Sequence, residues 1–180
     1  MLTRLVAGAA GLSSLVFGCS DAPLSTTVVS PTLGNFVATD ADFIGFHGWR
    51  AFELSGVEIA ASPHIAGTRK VYINRVPPRG STEFPIGTVI VKEIELGPLV
   101  DHRIFARVKR GLPYNSEGAA GWEWFELKNL PDGSVTTLWR GVGPPAGDLY
   151  GGDPTGCNTC HGAARANDSV SAIPLELSRF

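Results

Sequence analysis

Thr88-Val89-Ile90-Val91-Lys92-Glu93-Ile94-Glu95-Leu96 is the longest strand-like run in the chain's middle. Its alternate residues form two sets: Thr88, Ile90, Lys92, Ile94 and Leu96 on one side, Val89, Val91, Glu93 and Glu95 on the other. A side-chain period of two belongs to a strand. Lys92 therefore shares its face with three large aliphatic residues. The same period recurs on either side of this run. Val71-Tyr72-Ile73-Asn74 precedes it across a break at Pro77-Pro78-Arg79-Gly80, and residues 103–110 follow, with Ile104, Ala106 and Val108 opposing Arg103, Phe105, Arg107 and Lys109. Residues 122–128 read as a fourth strand, and residues 135–140 as a fifth after the Pro131-Asp132-Gly133 turn. Helical stretches flank the strands. Asp40-Ala41-Asp42 opens the first, with Phe43, Phe46 and Arg50 spaced for one face and Trp49 and Phe52 widening it. The second follows a Gly/Pro-rich loop over residues 141–156 and runs to about Asn167. The expectation is an α+β domain, a mainly antiparallel β-sheet with helices at both ends.

Composition agrees. The 22 Gly and 13 Pro favour a turn-rich β architecture over a helical bundle, and 180 residues suffice for one domain with a sizeable core. A formal net charge of -2, from 15 Lys+Arg against 17 Asp+Glu, provides no basic field for nucleic acid.

Residues 1–18 read as a signal peptide of lipoprotein type: Arg4 supplies the positive start, and residues 5–17 an apolar run too short to span a bilayer permanently. Val16-Phe17-Gly18-Cys19 resembles a bacterial lipoprotein processing site, with Cys19 the residue to be lipidated. Ordinary cleavage nearby, leaving Cys19 as a stray thiol, is the other reading. Residues 19–35 form a Ser/Thr/Pro tether, and residues 36–180 the folded domain. This organisation implies a periplasm-facing address at the bacterial cell envelope, with attachment to the membrane through a lipid anchor.

Cys157-Asn158-Thr159-Cys160-His161 carries the chemistry. Two cysteines separated by two residues, with a histidine next, form the attachment pattern of c-type haem. Each thiol adds to a vinyl group, and the adjacent imidazole reaches the iron as proximal ligand. A disulfide or redox pair and half of a zinc site compete with this reading. Zinc needs about four ligands, and no second cysteine pair supplies them. Met1, the only methionine, would leave with the signal peptide, which excludes a Met-ligated electron carrier. His47, His64 and His102 are the remaining candidates for a second axial ligand. An open position is expected instead, and it would bind or transform a small molecule.

Several stretches together resemble the cytochrome P-460 family, including its cytochrome c-prime-beta relatives. They are Arg69-Lys70-Val71-Tyr72-Ile73-Asn74, then Glu83-Phe84-Pro85-Ile86-Gly87-Thr88-Val89-Ile90-Val91-Lys92-Glu93-Ile94, then Gly121-Trp122-Glu123-Trp124-Phe125 and the Cys157–His161 motif. The resemblance implies a β-rich homodimer around one covalent, five-coordinate haem c. In the hydroxylamine-oxidising branch a lysine is joined covalently to the porphyrin, and Lys92 matches it. That branch also places a distal carboxylate on the following strand, where Phe105 stands here. A phenyl ring cannot accept a proton and a carboxylate can, so Glu93 and Glu123 become candidates for that role. The resemblance implies hydroxylamine oxidation with electrons passed to a redox partner such as a soluble cytochrome. Its alternatives are nitric-oxide binding without turnover and plain electron carriage.

Overall fold

The structure is a computed structural model that describes residues 35–60, 64–65, 67–97, 102–148, 150 and 156–180. These belong to one compact unit, Pro31–Phe180. The signal peptide, Cys19 and nearly all of the tether lie outside the described residues.

Six strands form one sheet in chain order: β1 (Arg50–Glu53), β2 (Thr68–Ile73), β3 (Val89–Glu95), β4 (Arg103–Lys109), β5 (Trp122–Asn129) and β6 (Val135–Gly141). Every neighbouring pair is antiparallel. The alternating runs predicted as strands supply β2 to β6. Both faces of the sheet are covered. On one, Tyr72, Val91, Ala106 and Phe125 pack against Phe43 and Phe46 of the N-terminal segment. On the other, Ile90, Trp122, Trp124 and Trp139 pack against Val170, Leu175 and Leu177 of the C-terminal segment.

The helix expected from Asp40 is absent. Two single 3-10 turns, Asp40–Phe43 and Phe46–Gly48, stand there instead, and residues 50–53 become the edge strand β1. Gly45 between the turns is left-handed, with φ 74°, a conformation that stops a right-handed helix. Phe43 and Phe46 still point inward together, as the spacing implied. Phe52, however, packs against the opposite sheet face, which a single helix stripe could not reach. The C-terminal helix is shorter than expected: it covers Gly156–Gly162, and a separate 3-10 turn takes Arg165–Asn167. A brief helix, Gly56–Ala60, follows β1; these are α2 and α1 respectively.

Phe43 is fully buried and meets Phe125 edge-on at 5.1 Å. Phe43→Ala should cost about 3–5 kcal/mol through lost contact and a residual cavity. Urea denaturation checks this; a loss below about 1 kcal/mol would show that the turn does not close the sheet face.

Candidate functional site

The sheet face carrying the three tryptophans also walls a cavity of about 420 Å³. That is within the roughly 300–1,000 Å³ of small-molecule and cofactor sites. The register brings the wall together. Lys92 on β3 pairs with Phe105 on β4, Arg107 on β4 pairs with Trp124 on β5, and Arg69 on β2 lies diagonally from Lys92. Alternation directs all five side chains to one side. The opposite wall comes from α2, which contributes Cys157, Cys160 and His161.

Asn158, between the two cysteines, fastens α2 to the sheet. Its carboxamide oxygen accepts from Trp124 Nε1 at 3.0 Å, Asn115 Nδ2 at 2.8 Å and the Ala119 amide at 3.3 Å. Its Nδ2 donates to the Val142 carbonyl at 2.7 Å. Gly118 makes room for this: a Cβ there would lie 2.3 Å from Asn158 Cγ. None of these partners is near in sequence, so nothing local to the motif reveals them.

Cys157 and Cys160 are free thiols. Burial pushes the Cys157 thiol up to about 11, the opposite of the acidic thiol that redox pairs use. Among the described residues no three His, Cys, Asp or Glu side chains could share a metal ion. His161 Nδ1 lies 3.2 Å from Arg107 Nη1 and 3.5 Å from Ser171 Oγ, and the ring also bonds the Ser169 backbone. A guanidinium only donates. Accepting from Arg107 therefore keeps the ring proton on Nε2, whereas donating to Ser169 moves it to Nδ1 and frees Nε2 for a metal. Burial, and then the positive charges of Arg107 and Lys92, hold His161 well below the usual histidine range. It is a neutral ligand group.

Lys92 is likewise held well below the ordinary lysine value, first by burial and then by Arg107 and Arg69. Its Nζ lies 5.8 Å from the centre of the Phe105 ring. Arg107 donates to the Ser169 carbonyl at 2.8 Å and sits over Trp122 and Trp124. His64 and Tyr150 complete this side of the cavity, with ring centres 5.2 Å apart. The sequence marks Arg107 by its place two residues from Phe105 on the same strand face. Tyr150, in a loop, carries no such mark.

The other candidates lie elsewhere. Glu93 is on the opposite sheet face, as its alternation with Lys92 implies. There it accepts from His102 Nδ1 at 3.0 Å, His47 Nε2 at 3.3 Å and the Tyr72 hydroxyl at 3.1 Å. Glu123 is also on that face, paired with Arg110 and Arg140. Glu126 does share the cavity face of β5, but Arg103 and Trp139 Nε1 hold its carboxylate. No family model, curated protein or solved structure matches the chain.

Burial alone would raise the Glu93 carboxyl, but the hydrogen bonds from His102 and His47 outweigh it and leave the group below its ordinary value of 4.5. A depressed carboxylate stabilises the fold fully above its unfolded value and loses that contribution as pH falls through the folded one. Stability should therefore drop in acid below about pH 4.5. Glu93→Gln should lower stability at neutral pH by about 1.5–3 kcal/mol and flatten the acid limb. Urea titrations across pH test this; an unchanged acid limb in the variant would contradict it.

Proposed function

We propose that this chain is a haem c protein of the cytochrome P-460 type. It holds one haem at Cys157 and Cys160, with His161 as the proximal ligand, and leaves the other side of the iron to a small nitrogen-oxide ligand or substrate. One observation carries the reading: the two free thiols and the neutral imidazole of the motif converge on a cavity of cofactor size. The rest of the lining suits that group. Three basic residues, Arg69, Lys92 and Arg107, border the cavity, and the two guanidinium groups complement a porphyrin's carboxylates. Trp124 and Trp139 offer flat apolar surface. Haem bound there would supply a redox-active iron with an exchangeable coordination position.

Each side chain then has a defined task. Asn158 holds the motif helix at the sheet. The Ser169 carbonyl orients His161 and raises its basicity as a ligand. His47 and His102 are committed to Glu93 on the far face, so they do not compete for the iron. Lys92, whose amine burial holds well below the ordinary lysine value, would when deprotonated be a nucleophile at the cavity wall toward a porphyrin edge already oxidised by two electrons, which supports a third covalent link there and with it oxidation of hydroxylamine. The electrons released would leave to a redox partner such as a soluble cytochrome. A second reading, nitric-oxide binding without turnover, is favoured by Phe105 on the cavity wall and by the distance of Glu93 and Glu123 from it. Under both readings the working form is a homodimer, anchored at the bacterial envelope through Cys19 and facing the periplasm.

Peptide mapping of the purified protein by mass spectrometry tests this. The enzymatic reading expects haem on the peptide carrying Cys157–His161, with the Lys92 peptide attached to it. Haem on the first peptide alone would select the nitric-oxide reading. A haem-free motif peptide would refute both.

A further inference from the structure

His64 is a second imidazole on the cavity wall, beyond the motif. Its ring centre lies 5.5 Å from that of Phe105 and 5.2 Å from that of Tyr150, so two aromatic rings set its orientation. The loop that bears it is pinned by Arg69, which is 1% exposed. One guanidinium nitrogen of Arg69 donates to the His64 carbonyl at 3.0 Å and the Ile65 carbonyl at 2.8 Å, and the other to the Ile59 carbonyl at 3.3 Å. Tyr150 is tied to the same loop through the Ile65 backbone. Desolvating a guanidinium is costly. Here it fixes the His64 and Ile65 backbone beside the cavity, with one imidazole at the cavity wall.

The surroundings also decide the charge of that imidazole. Burial, followed by the positive charges of Lys92, Arg69 and Arg107, pushes His64 down to about 3. At working pH the ring is neutral and keeps one N–H donor and one lone pair. A charge on His64 also reaches His161, which puts the two imidazoles within electrostatic range across one cavity. The neighbouring groups are committed in other ways. Phe105 has no polar atom, Arg107 Nη1 is turned to Ser169 and His161, both terminal nitrogens of Arg69 donate to carbonyls, Tyr150 bonds the Ile65 backbone, and Lys92 would lose donor capacity once joined to a porphyrin.

We propose that His64 is the cavity's hydrogen-bond donor to the oxygen of a small nitrogen-oxide or hydroxylamine-like ligand, with Phe105 and Tyr150 fixing its ring and Arg69 fixing its loop. The assignment rests on the haem reading above. It gives the site a polar contact where Phe105 replaces the carboxylate that the resemblance leads one to expect, and it selects ligands with an acceptor atom over inert gases of equal size.

The test uses the full-length haem-loaded protein, with carbon monoxide and nitric oxide as probes. In His64→Leu the infrared C–O stretch should rise, and nitric oxide should dissociate about three- to tenfold faster. His64→Gln, which keeps an N–H donor, should stay close to the wild type in both. Unchanged stretch and dissociation in His64→Leu would overturn the assignment while leaving the haem reading intact. So would a low-spin ferric wild type that turns high-spin in that variant, because His64 would then be an iron ligand. If His64→Leu does not fold, pulsed EPR of the wild-type nitrosyl complex in D₂O decides: an exchangeable deuteron beside the ligand supports the donor, and its absence overturns it. A wild type without haem stain would refute the haem reading itself.

Discussion

Three basic side chains facing one cavity set the electrostatics of the site. Arg69, Lys92 and Arg107 come from three successive strands, and each is turned away from bulk water by the sheet and the segments that cover it. Burying unpaired charge is expensive, and the chain meets the cost differently at each position. Arg69 is capped by three backbone carbonyls, Arg107 donates to one carbonyl beside the His161 ring, and Lys92 is driven toward its uncharged form. Among the described residues no carboxylate forms an ion pair with any of the three. Glu126 is taken by Arg103 and Trp139, Asp168 by Lys109, Glu123 by two arginines, and Glu93 by two histidines. Glu58, at the cavity edge, is bonded to Ser55 and the Ile173 amide. A cavity so arranged suits a flat apolar group that brings its own negative charge, and it keeps His64 and His161 neutral.

The second requirement is that α2 be held still. A seven-residue helix with glycine at both ends has little stability of its own. Asn158 supplies the attachment by bonding β5, the loop before it and the chain just past β6, and Trp124, its partner on β5, lies 4.7 Å from His161, ring centre to ring centre. The middle of the motif thus anchors what its ends present. Asp168 performs a similar service downstream: its carboxylate accepts from the Phe84 amide and Lys109, and its carbonyl from Trp122 Nε1. These bonds fix the chain beyond α2 over the same sheet face, which brings the Ser169 carbonyl to Arg107.

How much of this was legible in sequence follows from where the information lies. Strands β2 to β6 declare themselves because alternation is local, and the same alternation correctly separates Lys92 and Phe105 from Glu93. Strand β1 was hidden because aromatic residues at 43, 46, 49 and 52 imitate a helical stripe, and the breaks at Gly45 and Gly48 are single residues. The cysteine–histidine motif is visible at once, but its attachment through Asn158 is not, since Trp124, Asn115 and Val142 are brought there only by the fold. The sequence offers His64 only as one of three candidate axial ligands. Its role depends on Arg69, Phe105 and Tyr150, which belong to three separate parts of the chain.

The proposed single-histidine haem site with an open side has its clearest signature in the coordination state of the ferric protein. Magnetic circular dichroism and resonance Raman should report high-spin iron, five-coordinate or with water alone as a weak sixth ligand, and one imidazole lost on changing His161. A low-spin spectrum with two protein ligands, at neutral pH and without added ligand, would contradict it.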